Sequence, residues 1–196
     1  MTTFAFYADA ALTAPLAEDL HDLFTDGTGN PRTVQLWLGS TTTGKRLRAV
    51  SNPGVDQVAL SIEQLVPAWS AATAISAGAK IRPTTTNNRI YQAGGSGTTG
   101  GSQPTWPTTI GATVVDNDIT WTCIAYEDTP DEIKLATTSG GLASATPGAG
   151  LNLGTSILSG VGNAATFWMQ RTDADLVDQD QTQLRLATNP VREDAV

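Results

Sequence analysis

Apolar and polar side chains alternate with a period of two along most of the chain. Phe4 and Phe6 fall on one face of a first segment, and Val34, Leu36 and Leu38 on one face of the next, with Gln35 and Trp37 opposite. Val58, Leu60 and Ile62 repeat the pattern, as do Ile133 with Leu135, Leu151 with Leu153, Ala165 with Phe167 and Met169, and Leu184 with Leu186. Successive side chains of an extended chain point to opposite faces, so each segment predicts a strand buried on one side. Between them lie Thr41 to Gly44, Asn52-Pro53-Gly54, Gly140-Gly141, Pro147-Gly148 and Gly160 to Asn163, which supply the positive or fixed φ that chain reversals need. Only Leu16, Leu20, Leu23 and Phe24 fall at helical spacing, predicting a short helix over Leu16 to Phe24, although Pro15 could equally open a loop. The expected fold class is all-β, a β-sandwich of the immunoglobulin or jelly-roll kind.

The pattern changes between about Ala68 and Tyr126. Trp69, Trp106 and Trp121 fall there with Tyr91 and the glycine-rich run Gly94 to Gly101, between Val66-Pro67 and Asp128-Thr129-Pro130. Strand-like segments stand on both sides. The expectation is a β-sandwich formed by residues 1–67 and 128–196 together, with a small β-rich domain of residues 68–127 inserted in one of its loops. A single larger β-domain with one long excursion is the alternative.

Composition narrows the chemistry. The 196 residues carry 11 basic and 19 acidic side chains, a net charge of −8. Neutralising phosphates needs a basic surface, so no nucleic-acid partner is expected. One cysteine, Cys123, excludes an internal disulfide and a Cys-based zinc site, and one histidine, His21, leaves little for a catalytic triad or a polyhistidine metal site. No apolar run approaches the roughly 18 residues of a membrane span, and the N-terminus does not read as a secretory signal. The chain is expected to need no cofactor and no metal.

Several motifs tempt and fail. Gly39-Ser-Thr-Thr-Thr-Gly44-Lys45 nearly spells a phosphate-binding loop, but Arg46 stands where a Mg²⁺-binding hydroxyl is required and Lys45 to Val50 alternates like a strand. A hairpin loop is expected instead. Gly95-Ser-Gly97-Thr-Thr-Gly100 matches a dinucleotide fingerprint only in letters, since no strand-helix-strand unit surrounds it, and it predicts a flexible loop. Asp116-Asn117-Asp118 predicts a turn with Asn117 left-handed, and Asp173, Asp175, Asp178 and Asp180 a solvated loop. His21 reads as a surface residue. Cys123 alternates with Trp121 and Ile119, which places both Cys123 and Trp121 in a core. A glycan-processing enzyme would need two carboxylates across a cleft, and only Asp116 with Asp118 or Glu127 lie near the aromatics. Nothing orders them, so no catalytic residue is expected and the chain reads as a non-enzyme.

Trp69-Ser-Ala-Ala-Thr73, Gly78, Ile81-Arg-Pro83, Asn88, Tyr91, Gly97-Thr-Thr-Gly100, Pro104-Thr-Trp106-Pro107, Gly111, Val114, Asp116 and Ile119-Thr-Trp121-Thr-Cys123 resemble a small module that recurs in structural proteins of tailed bacteriophages. That module is similar in turn to small chitin-binding-type carbohydrate modules. Asn117-Asp118 stands where the module usually has Asp-Gly. Leu135 to Leu142, Leu151 to Gly160 and Phe167-Trp168 are similar to sandwich domains of tail and baseplate proteins. The resemblance implies a virion component of the tail tip, baseplate or tail fibre, made in the host cytoplasm without a signal peptide, or alternatively a head decoration or head-fibre protein. It implies other virion proteins as partners, a homo-oligomer in a symmetric assembly and contact with a host-surface glycan. Because a sugar ring stacks its CH face on an aromatic plane, Trp106, Tyr91 and Trp69 are the candidate carbohydrate-binding residues. The flanking prolines predict that Trp106 lies near the surface.

Overall fold

The computed structural model describes residues 3–16, 31–172 and 183–196. In chain order the strands are β1 (Ala5–Tyr7), β2 (Arg32–Gly39), β3 (Lys45–Ala49), β4 (Ala59–Gln64), β5 (Ala74–Ile75), β6 (Lys80–Ile81), β7 (Ile90–Ala93) and β8 (Gly97–Thr98). They continue as β9 (Thr113–Asp116), β10 (Ile119–Ala125), β11 (Ile133–Ala136), β12 (Leu151–Asn152), β13 (Ile157–Leu158), β14 (Ala165–Arg171), β15 (Leu184–Thr188) and β16 (Val191–Ala195). Short 3₁₀ turns are the only helical geometry among the described residues. The protein is all-β, with antiparallel sheets in a sandwich-like arrangement. Its chain divides into two compact units, one of residues 1–63 with 129–196 and the other of residues 64–128.

The first unit is built from three sheets, of strand order β1-β2-β14-β11, β12-β4-β15 and β13-β3-β16. Each joins strands from before residue 64 to strands from after residue 128. The longest ladder runs from Arg32 against Arg171 to Leu38 against Ala165. The alternating residues converge on one core: Phe4, Leu36, Leu38, Val58, Leu60, Ile62, Ile133, Leu135, Phe167, Met169, Leu184 and Leu186 are buried together. Leu47 and Ile157 join them from the third sheet. Each apolar face is covered by residues distant in sequence, which is why no half of this pattern could bury itself alone.

One local reading changes, and another lies almost wholly outside the described residues. The stretch after Gly39 is not a hairpin, because β2 and β3 lie in different sheets. Ser40 is buried there, sharing a hydrogen bond with the Thr3 hydroxyl and accepting at its carbonyl from the Gly160 amide, so the chain crosses between sheets instead of reversing within one. Of the segment Leu16 to Phe24, only Leu16 is described. Its amide donates to Phe6 and its side chain packs against the core, while the rest of that segment, His21 and Asp173 to Asp180 lie outside the described residues.

The second unit carries a four-stranded sheet of order β6-β7-β10-β9 and a two-stranded ribbon of β5 with β8. In β10, Ile119, Trp121 and Cys123 face inward, as the period of two requires, and pack with Trp69, Ile81, Tyr91 and Ala93. The β9–β10 hairpin turns at Asn117 and Asp118, with Asp116 opposite Ile119 and Asn117 at φ 53°.

Candidate functional site

The aromatic residues of the second unit meet, but they do not form an open platform. Tyr91 has no exposed surface and Trp69 retains 8%. The inward row of β7 carries Tyr91 into the core, and its hydroxyl donates to the Pro107 carbonyl (2.8 Å) while accepting from the Asn87 amide (2.7 Å). Burial pushes this hydroxyl above the ordinary tyrosine value of 10.0, the bond from Asn87 opposing the rise. Two of the three expected sugar-binding rings are thus interior residues, because their polar tips find partners only inside the unit.

Trp106 is the ring that keeps partial exposure. The centre of its ring lies 4.4 Å from that of Tyr91, at a tilt of 41°, and 6.1 Å from that of Trp121, edge on. The segment between Pro104 and Pro107 folds the indole down onto Tyr91, so Trp106 is half-buried where the prolines alone suggested a surface ring. The Trp106 Nε1 and Asn87 Oδ1 atoms are both buried without a protein hydrogen-bond partner.

The centre of the unit is a carboxylate. Asp116 is 4% exposed, and its Oδ2 accepts from the indole N–H groups of Trp69 (2.7 Å) and Trp121 (3.2 Å). Its Oδ1 accepts from the Gly100 amide at 2.8 Å. A side chain at Gly100 would put its Cβ 2.7 Å from that oxygen, and one at Gly97 would meet Ile119 at 2.9 Å. The glycine run is therefore a tightly docked segment and not the flexible loop its composition predicted: β8 pairs with β5, and the buried Thr99 hydroxyl donates to the Ser70 carbonyl and accepts from the Thr73 amide. A pattern was available to reveal Asp116. It shares the inward face of β9 with Val114, which stands opposite Trp121, so its acid occupies a core position beside indole donors.

Of the other carboxylates near the aromatics, Glu127 is buried, takes a short hydrogen bond from the Thr86 hydroxyl and lies 3.7 Å from the Arg82 guanidinium. Asp118 is exposed at the hairpin tip, where it accepts from Asn117. Arg89 lies 4.0 Å over the Tyr126 ring and donates to the carbonyls of Thr108 and Asn88. Burial raises the Cys123 thiol above its ordinary 9.0, with Arg89 pulling the other way, so the sulfur stays protonated and unreactive at neutral pH. No group of three or more His, Cys, Asp or Glu side chains among the described residues is placed to hold a metal ion.

In the first unit, Thr129, Asp131, Glu132, Lys134, Pro147 and Thr172 line a concavity of about 420 Å³. Glu132 holds the buried Arg171 guanidinium at 3.1 Å, which makes this carboxylate a structural partner. No helix among the described residues is long and apolar enough to cross a membrane. No family model, no curated protein and no solved structure matches the chain.

Proposed function

We propose that the chain is a structural component of a tailed-phage particle, in the tail tip, baseplate or tail fibre, and that its second unit makes contact through the Trp106 surface. The observation that carries this reading is where the motif residues fall. Trp69, Ile81, Tyr91, Trp106, Val114, Ile119, Trp121 and Cys123, quoted above for their likeness to a phage structural module, form one cluster, with Asp116 bonded to two of its indoles. The pattern therefore describes a self-contained packing unit, the kind of element that is carried between scaffolds as a contact module. Asp116 and Glu127, the acids that glycan hydrolysis would require, are engaged in bonds that hold the fold. That supports a role in binding and assembly over catalysis.

Of the three candidate rings, Trp106 is the one available to a sugar or a neighbouring subunit, with Tyr91 and Trp121 supporting it from the interior. Repetition of the chain in a symmetric particle would make a weak contact effective through avidity. Immunogold labelling of intact tailed particles, with antibodies raised against the purified chain, tests the assignment. Label at the tail tip, baseplate or fibre supports it, label on the head moves the protein to the decoration or head-fibre alternative, and particles without label overturn it. A glycan array probed with multivalently displayed protein tests the contact. Wild type should bind and Trp106→Ala should not; absence of binding by wild type reassigns Trp106 to a subunit interface.

A further inference from the structure

The four-stranded sheet of the second unit has two edges, and they are finished differently. At β6 the chain returns to cover the edge, with the Arg82 amide donating to the Pro67 carbonyl and the Trp69 amide to the Arg82 carbonyl. At β9 no segment does so among the described residues. The Gly94 amide donates to the Thr120 carbonyl from the β7 side, and the Cys123 amide donates to the Ala112 carbonyl just before β9. Bonded and non-bonded pairs alternate along an antiparallel ladder. Asp116 and Val114 therefore bond to β10, while Val115, opposite Thr120, and Thr113, opposite Thr122, turn their amides and carbonyls outward.

Open edges are ordinarily blunted by charge, proline or a covering segment. Leu16 bonds to Phe6 of β1, Gly148 bonds to Ile133 of β11, β15 carries Arg185, and β16 carries Arg192, Glu193 and Asp194. By contrast β9 reads Thr-Val-Val-Asp, and its one charged residue, Asp116, is buried on the indoles of Trp69 and Trp121. Val115 is 66% exposed, and Ile110, in the turn before the strand, 48%. An uncharged, β-branched edge with free backbone groups is a template for another strand.

We infer that β9 pairs with β9 of a second copy, antiparallel about a two-fold axis at Val114. The outward groups are spaced to be self-complementary. With Thr113 opposite the second copy's Val115, and Val115 opposite its Thr113, each pair exchanges two hydrogen bonds and every outward amide and carbonyl of both residues is used. A strand of unrelated sequence has no such symmetric closure. The same register extends the inward row of Trp121 and Val114 from one copy to the next. It also keeps like charges apart, since Asp118 at the hairpin tip falls towards residue 110 of the second copy, where Thr109 to Ala112 are uncharged. Such a contact is isologous and closes as a dimer with one continuous sheet. The inference deepens the assembly reading above, on which it rests for the expectation that copies meet. Because it is tested on the purified chain, its failure and that of the particle assignment are separable.

The test is sedimentation velocity of the full chain from about 10 μM to about 1 mM, the range of weak association, with amide exchange followed by NMR on the same samples. Wild type should move from its 20.4 kDa monomer mass towards a dimer as concentration rises. The Thr113 and Val115 amides, unbonded in the monomer, should slow about tenfold or more over the series. Thr113→Lys with Val115→Lys sets lysine opposite lysine across the axis, and Thr113→Glu with Val115→Glu sets glutamate opposite glutamate. Each double variant should stay monomeric with unchanged circular dichroism, since both side chains are exposed. An equimolar mixture of the two should associate, each lysine then facing a glutamate. A monomer throughout the series, a dimer in which Thr113 and Val115 exchange as freely as in the monomer, double variants that associate like wild type, or a mixture that stays monomeric would overturn the proposal.

Discussion

The two units solve the problem of a small β-core in different ways. In the first, aliphatic and aromatic side chains from three sheets fill one interior, and the buried ion pair of Arg171 with Glu132 stands at one end of the β11–β14 ladder, with Arg171 opposite Ile133. In the second, seven buried apolar residues surround a carboxylate that receives three N–H donors. A core of many apolar contacts yields to deletion gradually, each lost side chain costing its own transfer and cavity terms. A core organised on one acceptor is brittle, because removing it leaves several buried donors unpaired at once.

That contrast can be broken most directly by two matched deletions. Asp116→Ala strands two indole N–H groups and one amide, and at about 1–3 kcal/mol for each unsatisfied group it should cost at least 3 kcal/mol. Hydrogen exchange read by mass spectrometry should show residues 64–128 losing protection while the β2–β14 ladder keeps it. Phe167→Ala, which removes a fully buried ring from the first unit, should cost about 3–5 kcal/mol and reverse that pattern of protection. Equal loss of protection in both regions for either variant would show that the units unfold as one.

Smaller changes sharpen the comparison. Gly100→Ala drives a methyl group against the Asp116 carboxylate and should cost about 1–3 kcal/mol by urea denaturation, whereas Gly101→Ala, with open space around it, should cost under about 1 kcal/mol. Trp106→Ala should lower stability by about 1–2 kcal/mol, since the ring is half-buried and stacked on Tyr91. An effect near zero would show that the ring adds nothing to the unit.

The smallest effect concerns alkaline pH. Tyr91 and Cys123 both titrate higher in the folded chain than their ordinary 10.0 and 9.0, so the unfolded chain releases these protons first. Their stabilisation is fully present below about pH 9 and is lost as pH rises through the folded values. A urea midpoint followed from pH 8 to 11 should fall, and Tyr91→Phe with Cys123→Ala should flatten the decline.

Much of this protein was readable before any coordinates. Period-two alternation is a local property of an extended chain, so Leu36, Leu60, Phe167, Trp121 and their partners announced their inward faces directly. Asn117 announced its left-handed turn for the same reason, since αL tolerance belongs to the residue itself. The sequence likewise determined the all-β class and the sparse chemistry of one histidine and one cysteine.

Tertiary structure decided what depends on which distant segment arrives opposite. Tyr91 and Trp69 had the composition of a binding platform, and only the arrival of Pro107, Asn87 and Asp116 at their polar tips made them interior residues. The glycines at 97 and 100 looked like flexibility, and proved to be places where β10 and the Asp116 carboxylate come too close for a side chain. Gly39 to Lys45 looked like a hairpin because its neighbours alternate, yet alternation records only which face of a strand is buried. Which sheet that strand joins is settled by pairing with β13, β14 and β16, more than a hundred residues further along the chain.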